Sequence, residues 1–336
     1  MGEGLRTLEV MPAARWHAEH NVKPGDQVVV LTDAKVEQAI PRAFALAAAA
    51  RGAEVMVAYV RPPAAPGDHP PQAIVEFFRA ADAAITCCSE TMSWSEAMMA
   101  IIAAGGRHLS VPGANVETFT RGIVEVYFDE DEFRRMRELT RKFARALDEA
   151  DEVRLTTGRG TDLRGSIRGR VALPSYGVAE ETYNHTSFPT GEAMLAPVEG
   201  TAHGRAVIDL SMGGVGPLDE PIELTIREGR VVGVEGGEAA KRLKGLLARS
   251  GPGADNLAEF GFGTNPRGSF TGNKNADKKI LGSAHIALGT NWNFGGRSVP
   301  GLGGEVRAAI HLDSVMDRAT VYLDGKMVVE EGKVLL

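Results

Sequence analysis

QVVVLTDAKVEQAIPRAFALAAAARGAEVMVAYV, running from Gln27 to Val60, decides the fold of the N-terminal half. Gln27–Leu31 is a short β-branched run that suits a buried strand. Val36 to Arg51 is rich in alanine, the strongest helix former, and stops at Gly52. Glu54 to Val60 returns to strand chemistry. Strand, helix and strand in that order make a βαβ unit, with parallel pairing and a right-handed crossover. The alternation continues: Ile74 to Ala81 predicts a helix, Ala83 to Cys88 a strand, Ser93 to Ala104 a helix, and His108 to Val111 a last short strand. Residues 1–127 are therefore expected to form an α/β domain with an open, mainly parallel sheet. No GxGxxG follows the first strand, so nothing supports dinucleotide binding.

Residues 128–153 shift to Arg, Glu and Leu at helical spacing and predict a connecting helix. Phe133, Met136, Phe143 and Leu147 share one of its faces. Beyond it the texture turns to β. Arg154 to Arg170 alternates like a hairpin, Ala206 to Met212 and Glu223 to Ile226 predict strands, and Arg230 to Glu235 follows a Glu-Gly turn. Glu238 to Arg249 is one clear helix, and Ala319 to Val334 reads as strand, Asp-Gly turn, strand. Residues 154–336 are thus expected to be an α+β metal-binding catalytic domain.

Composition narrows the class. Hydrophobic residues make up 43% and charged residues 24% of the 336, a balance able to bury a sizeable core. A net charge of -7 gives no basic face for nucleic acid. No apolar run approaches the roughly 20 residues that span a bilayer, and the N-terminus lacks the apolar core of a signal peptide. The expectation is a cytoplasmic protein without nucleic-acid or membrane partners. Cys87 and Cys88 are adjacent, rarely a bridging geometry, and read as buried thiols. Glycines punctuate Gly251 to Gly304 every few residues, as suits loops that approach a ligand closely.

Imidazole and carboxylate are the side chains that hold borderline and hard divalent ions. Of eight histidines, His17, His20, His69, His108 and His203 lie in polar or loop contexts without an acidic partner in a shared motif. His311-Leu312-Asp313 is different: residues i and i+2 of a strand point to one face, so the two groups project together. His285, in His285-Ile-Ala-Leu-Gly289, is costly to bury unpaired. Glu259 lies in Asn256-Leu-Ala-Glu-Phe-Gly-Phe-Gly263, and Glu192 follows a Pro/Gly turn and precedes an apolar strand. Together they make a ligand inventory for one or two divalent ions.

These segments, in this order, resemble the thermophilic aminopeptidase family (aminopeptidase T and aminopeptidase S). Pro189-Thr-Gly-Glu192 through Pro197, Glu259, His285–Gly289 and His311–Asp313 carry the resemblance, with Asp324-Gly325-Lys326 fitting the strand that follows. It covers roughly Arg154 to Val334 well and the N-terminal part in outline. It implies two metals held by Glu192, Glu259, His285, His311 and Asp313, and a homo-oligomer. Trp292 stands where those peptidases carry a tyrosine. The chain also resembles 2,5-dihydroxypyridine dioxygenases, which hold one ferrous ion through two histidines and a carboxylate. They are expected to place a histidine at the position of Glu259, to lack a counterpart of Glu192, and to carry a catalytic histidine where Trp94 stands.

The leading expectation is a metal-dependent hydrolase of an amide or peptide bond, aminopeptidase-like, acting on a small-molecule or short-peptide substrate. Zinc, cobalt or manganese would polarise the carbonyl, while Glu192 or Glu259 acts as general base. His185, seven residues before Glu192, is a candidate acid/base group, and Lys274 and Arg297 are candidate partners for a substrate carboxylate. The alternative is a ring-cleaving dioxygenase whose ferrous iron uses His285 or Glu259 beside His311 and Asp313.

Overall fold

The computed structural model describes residues 3–64, 66, 68–93, 95–180 and 182–336, so Trp94 lies outside the described residues. The fold is mixed α/β, with one parallel sheet and two largely antiparallel ones. The chain divides into two compact units. One comprises Met1–Arg134, Ser175–Thr190 and Gly295–Ser298; the other comprises Arg135–Pro174, Gly191–Phe294 and Val299–Leu336.

The first unit carries the parallel sheet, ordered Glu54–Val60, Gln27–Asp33, Ala83–Cys87, Arg107–Ser110 and His185–Ser187. Gln27–Asp33 is buried from its second residue onward, as its valine run requires. The following helix is shorter than expected, Ala39–Ala50 instead of Val36 to Arg51. The strand continues to Asp33, and a turn from Val36 N–H to the Asp33 carbonyl (3.3 Å) uses up the intervening residues. The helix expected from Ser93 starts at Glu96, because the Ser95 hydroxyl accepts from the Met98 N–H and caps it. His185–Ser187 was not foreseen as a strand; it adds in parallel beside Arg107–Ser110. Cys87 and Cys88 are both buried.

In the second unit, four antiparallel neighbours run in the order His311–Met316, Ala284–Gly289, Leu257–Gly263 and Glu192–Leu195. Side chains alternate across this sheet. Phe260, Phe262, Ile286, Leu288, Leu312 and Leu195 enter the apolar core on one face. Their sequence neighbours Glu259, Gly261, His285, Ala287, His311, Asp313 and Glu192 fall on the other. The helix Glu130–Asp148 ends before the expected Val153, since Glu152–Thr156 pairs as a strand with Asp162–Ser166. Phe143 of that helix stacks on Phe262 at 4.9 Å and helps to fix the core face. Among the described residues, no helix is long and apolar enough to cross a membrane.

Candidate metal centre

Strand register explains why the polar face closes into a cluster. Directly across from His285 stands Gly261, across from His311 stands Gly289, and across from Glu192 stands Gly263. Glu259 and Asp313 flank the same small residue, Ala287, from its two sides. Each large polar group thus faces a glycine or alanine, and the space left vacant lets the functional groups lean together. At Gly261 the need is absolute: a Cβ there would overlap Cε1 and Nε2 of His285.

The resulting contacts are short. His285 Nε2 lies 2.8 Å from Glu259 Oε1, and His311 Nε2 lies 3.0 Å from Glu259 Oε2. His311 Nε2 is also 3.5 Å from Asp313 Oδ1, and His285 Nε2 is 3.7 Å from Glu192 Oε2. One ligand atom each from Glu259, His285 and Asp313 fall within 4.8 Å of one another. Glu192, Glu259 and His285 are 0% exposed and His311 is 1% exposed, so water cannot solvate these charges. All five ligand residues expected from sequence therefore meet on one buried face.

Three lysines complete the cluster. Lys279 Nζ donates to Glu192 Oε1. Lys278 Nζ stands 3.2 Å from Asp313 Oδ1 and 3.7 Å from Glu192 Oε2. Lys274 Nζ lies 3.3 Å from Asp313 Oδ2. They descend from a loop pinned at Asp277, whose carboxylate accepts from Thr271 N–H (2.8 Å) and Ser211 Oγ (3.0 Å). Lys278 and Lys279 were missed as site residues. Paired lysines read from sequence as a solvated charge run, and the available signal was their position between a polar turn and the buried strand Ala284–Gly289.

Charges are redistributed accordingly. Burial pushes the Glu259 carboxyl up, but Lys278 and the hydrogen bonds to His285 and His311 overcome it and hold the group below the usual carboxylate range. Asp313 is likewise depressed, against burial, by Lys278, Lys274 and His311. Burial beside Lys278 lowers Lys279 to about 8, with Glu192 opposing the shift. His311 moves the other way: burial disfavours its charge, yet hydrogen bonds to Asp313 and Glu259 raise it to about 9.

The cluster meets the requirements of a divalent cation. His285 Nδ1 is buried and makes no hydrogen bond, and Glu192 Oε2 and Asp313 Oδ1, buried likewise, have the Lys278 ammonium beside them as an ion pair. The Thr290 carbonyl, 2.8 Å from His311 Nδ1, can only accept, so Nδ1 carries a proton and the lone pair of the neutral ring falls on Nε2, toward the carboxylates. A cation ligated there must displace the second proton of the imidazolium. Metal uptake at neutral pH is expected to release about one proton, with affinity rising about tenfold per pH unit up to about 9. Calorimetry in buffers of different ionisation enthalpy reads this directly, and uptake without proton release would contradict it. In the metal-free chain the same pairing stabilises the fold fully below His311's ordinary value of 6.5 and is lost as pH rises through about 9.

The surroundings of three other sequence candidates are as follows. His185 belongs to the first unit, buried and stacked on His108 with ring centroids 5.0 Å apart and the two Nδ1 atoms at 2.9 Å. Trp292 has the guanidinium of Arg307 over its ring at 3.6 Å. Arg297 is exposed and belongs to the first unit.

A buried face carrying two imidazoles and three carboxylates, within a mixed α/β fold, offers the donor chemistry of a divalent-metal site. The chain belongs to the 2,5-dihydroxypyridine 5,6-dioxygenase family, whose model matches residues 14–336. A curated 2,5-dihydroxypyridine 5,6-dioxygenase from Pseudomonas putida KT2440 is 26% identical over 195 residues, which is 56% of this chain and 55% of that relative's length. The solved structure of 2,5-dihydroxypyridine dioxygenase from the same organism has a TM-score of 0.76 at 20% identity, covering 100% of this chain and 98% of that one. Wild-type AmpT from Thermus thermophilus shares the fold with a TM-score of 0.69 at 16% identity, covering 98% of this chain and 99% of that one.

These findings overturn the expected amide- or peptide-bond hydrolase. The aminopeptidase resemblance is one of fold, whereas the family match and the curated relative both point to ring cleavage by oxygen. Glu192 and Glu259, which pointed to the hydrolase, are thus present in a chain of the dioxygenase family.

Proposed function

We propose that this chain is a non-haem iron dioxygenase that opens a dihydroxypyridine-type ring. The observation that carries the reading is the convergence of His285 and His311 on Glu259 beside Asp313, in a chain matching the dioxygenase family over residues 14–336. Two imidazoles with carboxylate suit ferrous iron, and His311, Asp313, His285 and Glu259 would hold it. Ferrous iron bound there would supply the one-electron chemistry that dioxygen needs to attack a closed-shell aromatic ring.

The chain's own groups do the rest. The Thr290 carbonyl fixes the tautomer and orientation of His311. Without metal, Glu259 brings the two rings together, one on each of its oxygens. Lys274, with its side chain 11% exposed and its ammonium beside Asp313, offers a positive partner to an ionised ring hydroxyl. The fully buried Phe260 and Leu288 back the sheet from its apolar face.

The test is metal-dependent loss of the ring chromophore. Protein loaded anaerobically with ferrous iron is expected to bleach the near-ultraviolet absorbance of 2,5-dihydroxypyridine in air. Zinc-loaded protein, or the iron protein under nitrogen, should leave it intact. Bleaching that is independent of oxygen, or none with iron, would refute the reading.

A further inference from the structure

We propose that Lys278 and Lys279 occupy the place of a second divalent cation, so that a cluster with enough ligands for two ions takes one. The inference rests on the reading of the cluster as a metal centre, but not on the reaction performed there.

Glu192 and Asp313 come from strands separated by two others, so a cation held by both must span them. Here the bridge is an ammonium group. Lys278 Nζ sits between Asp313 Oδ1 at 3.2 Å and Glu192 Oε2 at 3.7 Å. Lys279 Nζ takes the other oxygen of Glu192. Both oxygens of Glu192 are therefore faced by ammonium groups, and its remaining close neighbour is His285 Nε2 at 3.7 Å. Glu259 differs, since its two oxygens face the two imidazoles. The cluster has a metal side, formed by Glu259, His285, His311 and Asp313, and a lysine side built on Glu192.

Charge supports the division. With Lys274, three ammonium groups match the three carboxylates Glu192, Glu259 and Asp313, all but inaccessible to water. One divalent ion leaves two positive charges, which an anionic substrate can offset. A second ion would leave four in a site that water cannot solvate, and uncompensated buried charge is strongly unfavourable. The loop of Lys278 and Lys279 is held from beneath by Asp277 and by the Asn265 N–H bond to the Lys279 carbonyl (2.8 Å), which fixes the backbone from which both side chains reach the carboxylates.

Metal stoichiometry tests this without any need for turnover. Wild-type protein titrated anaerobically with manganese(II) and measured by elemental analysis should saturate at one ion per chain. The Lys278→Met/Lys279→Met variant should take up a second ion and show the exchange-coupled electron paramagnetic resonance signal of a manganese pair. If the double variant does not fold, Lys278→Met alone is read in the same way, checked by a cooperative melt. Two ions in the wild type, or one ion in a folded variant, overturns the proposal. Absence of ring cleavage by a one-ion wild type would sink the dioxygenase reading and leave this inference standing.

Discussion

His311→Ala is expected to lose bound metal and turnover together. His311 has a fixed Nδ1 proton, so its Nε2 is an oriented ligand atom and not a rotating one. Removing a group that merely orients a metal ligand typically costs 10–100-fold in affinity; loss of the ligand itself should exceed about 100-fold. The imidazole is also a cation in the metal-free chain, raised to about 9, and its deletion leaves Glu259 and Asp313 facing one another with less positive charge between them. Like charges in a dry site raise each other's pKa. The variant should therefore be less stable without metal as well. At free metal of 100 times Kd, binding stabilises the native state by about 2.7 kcal/mol. A chelator should lower the wild-type Tm by several degrees and leave that of His311→Ala nearly unmoved. Full metal content in the variant, by elemental analysis, would remove His311 from the site.

Gly261→Ala adds a single methyl group and is expected to weaken the centre without replacing any ligand residue. Gly261 is the cross-strand partner of His285, and the ring lies over the space that a Cβ would take. The ring must move, and its 2.8 Å bond to Glu259 Oε1 goes with it. Metal affinity should fall by about 10–100-fold, the range for a lost orienting contact. Overpacking should cost about 1–3 kcal/mol in stability. Gly158→Ala is the control, because nothing lies within 4 Å of a Cβ at that position. Equal metal affinity in Gly261→Ala and wild type would show that His285 is not held as described.

Much of the site was legible because strands expose their chemistry at every second residue. His311-x-Asp313 could be read as one face from spacing alone. The segments His285-Ile-Ala-Leu-Gly289 and Glu259-Phe-Gly-Phe-Gly263 carried a further message in hindsight: polar, small and small residues alternate with core residues, which is the pattern of a face where neighbouring strands must make room. The parallel sheet was legible from its valine runs, while its last strand, His185–Ser187, was not. Three residues that pair with a strand 77 positions earlier leave no periodicity to detect. Lys278 and Lys279 were invisible for another reason. Their ammonium groups reach the site through long flexible stems, and only the turn fixed by Asp277 aims them inward. At Glu192 and Glu259 the ligand types favoured hydrolysis, and the family match over residues 14–336 points instead to the dioxygenase reading.

The central claim, ring cleavage by dioxygen at the His285–His311–Asp313 cluster, is tested most directly by isotope incorporation. Iron-loaded protein is mixed with 2,5-dihydroxypyridine under 18O2, and the product mass is read at once. The account predicts a ring-opened product carrying both labelled oxygen atoms, with no label when His311→Ala replaces the wild type. A product without labelled oxygen, or an unchanged ring with iron bound, would contradict it.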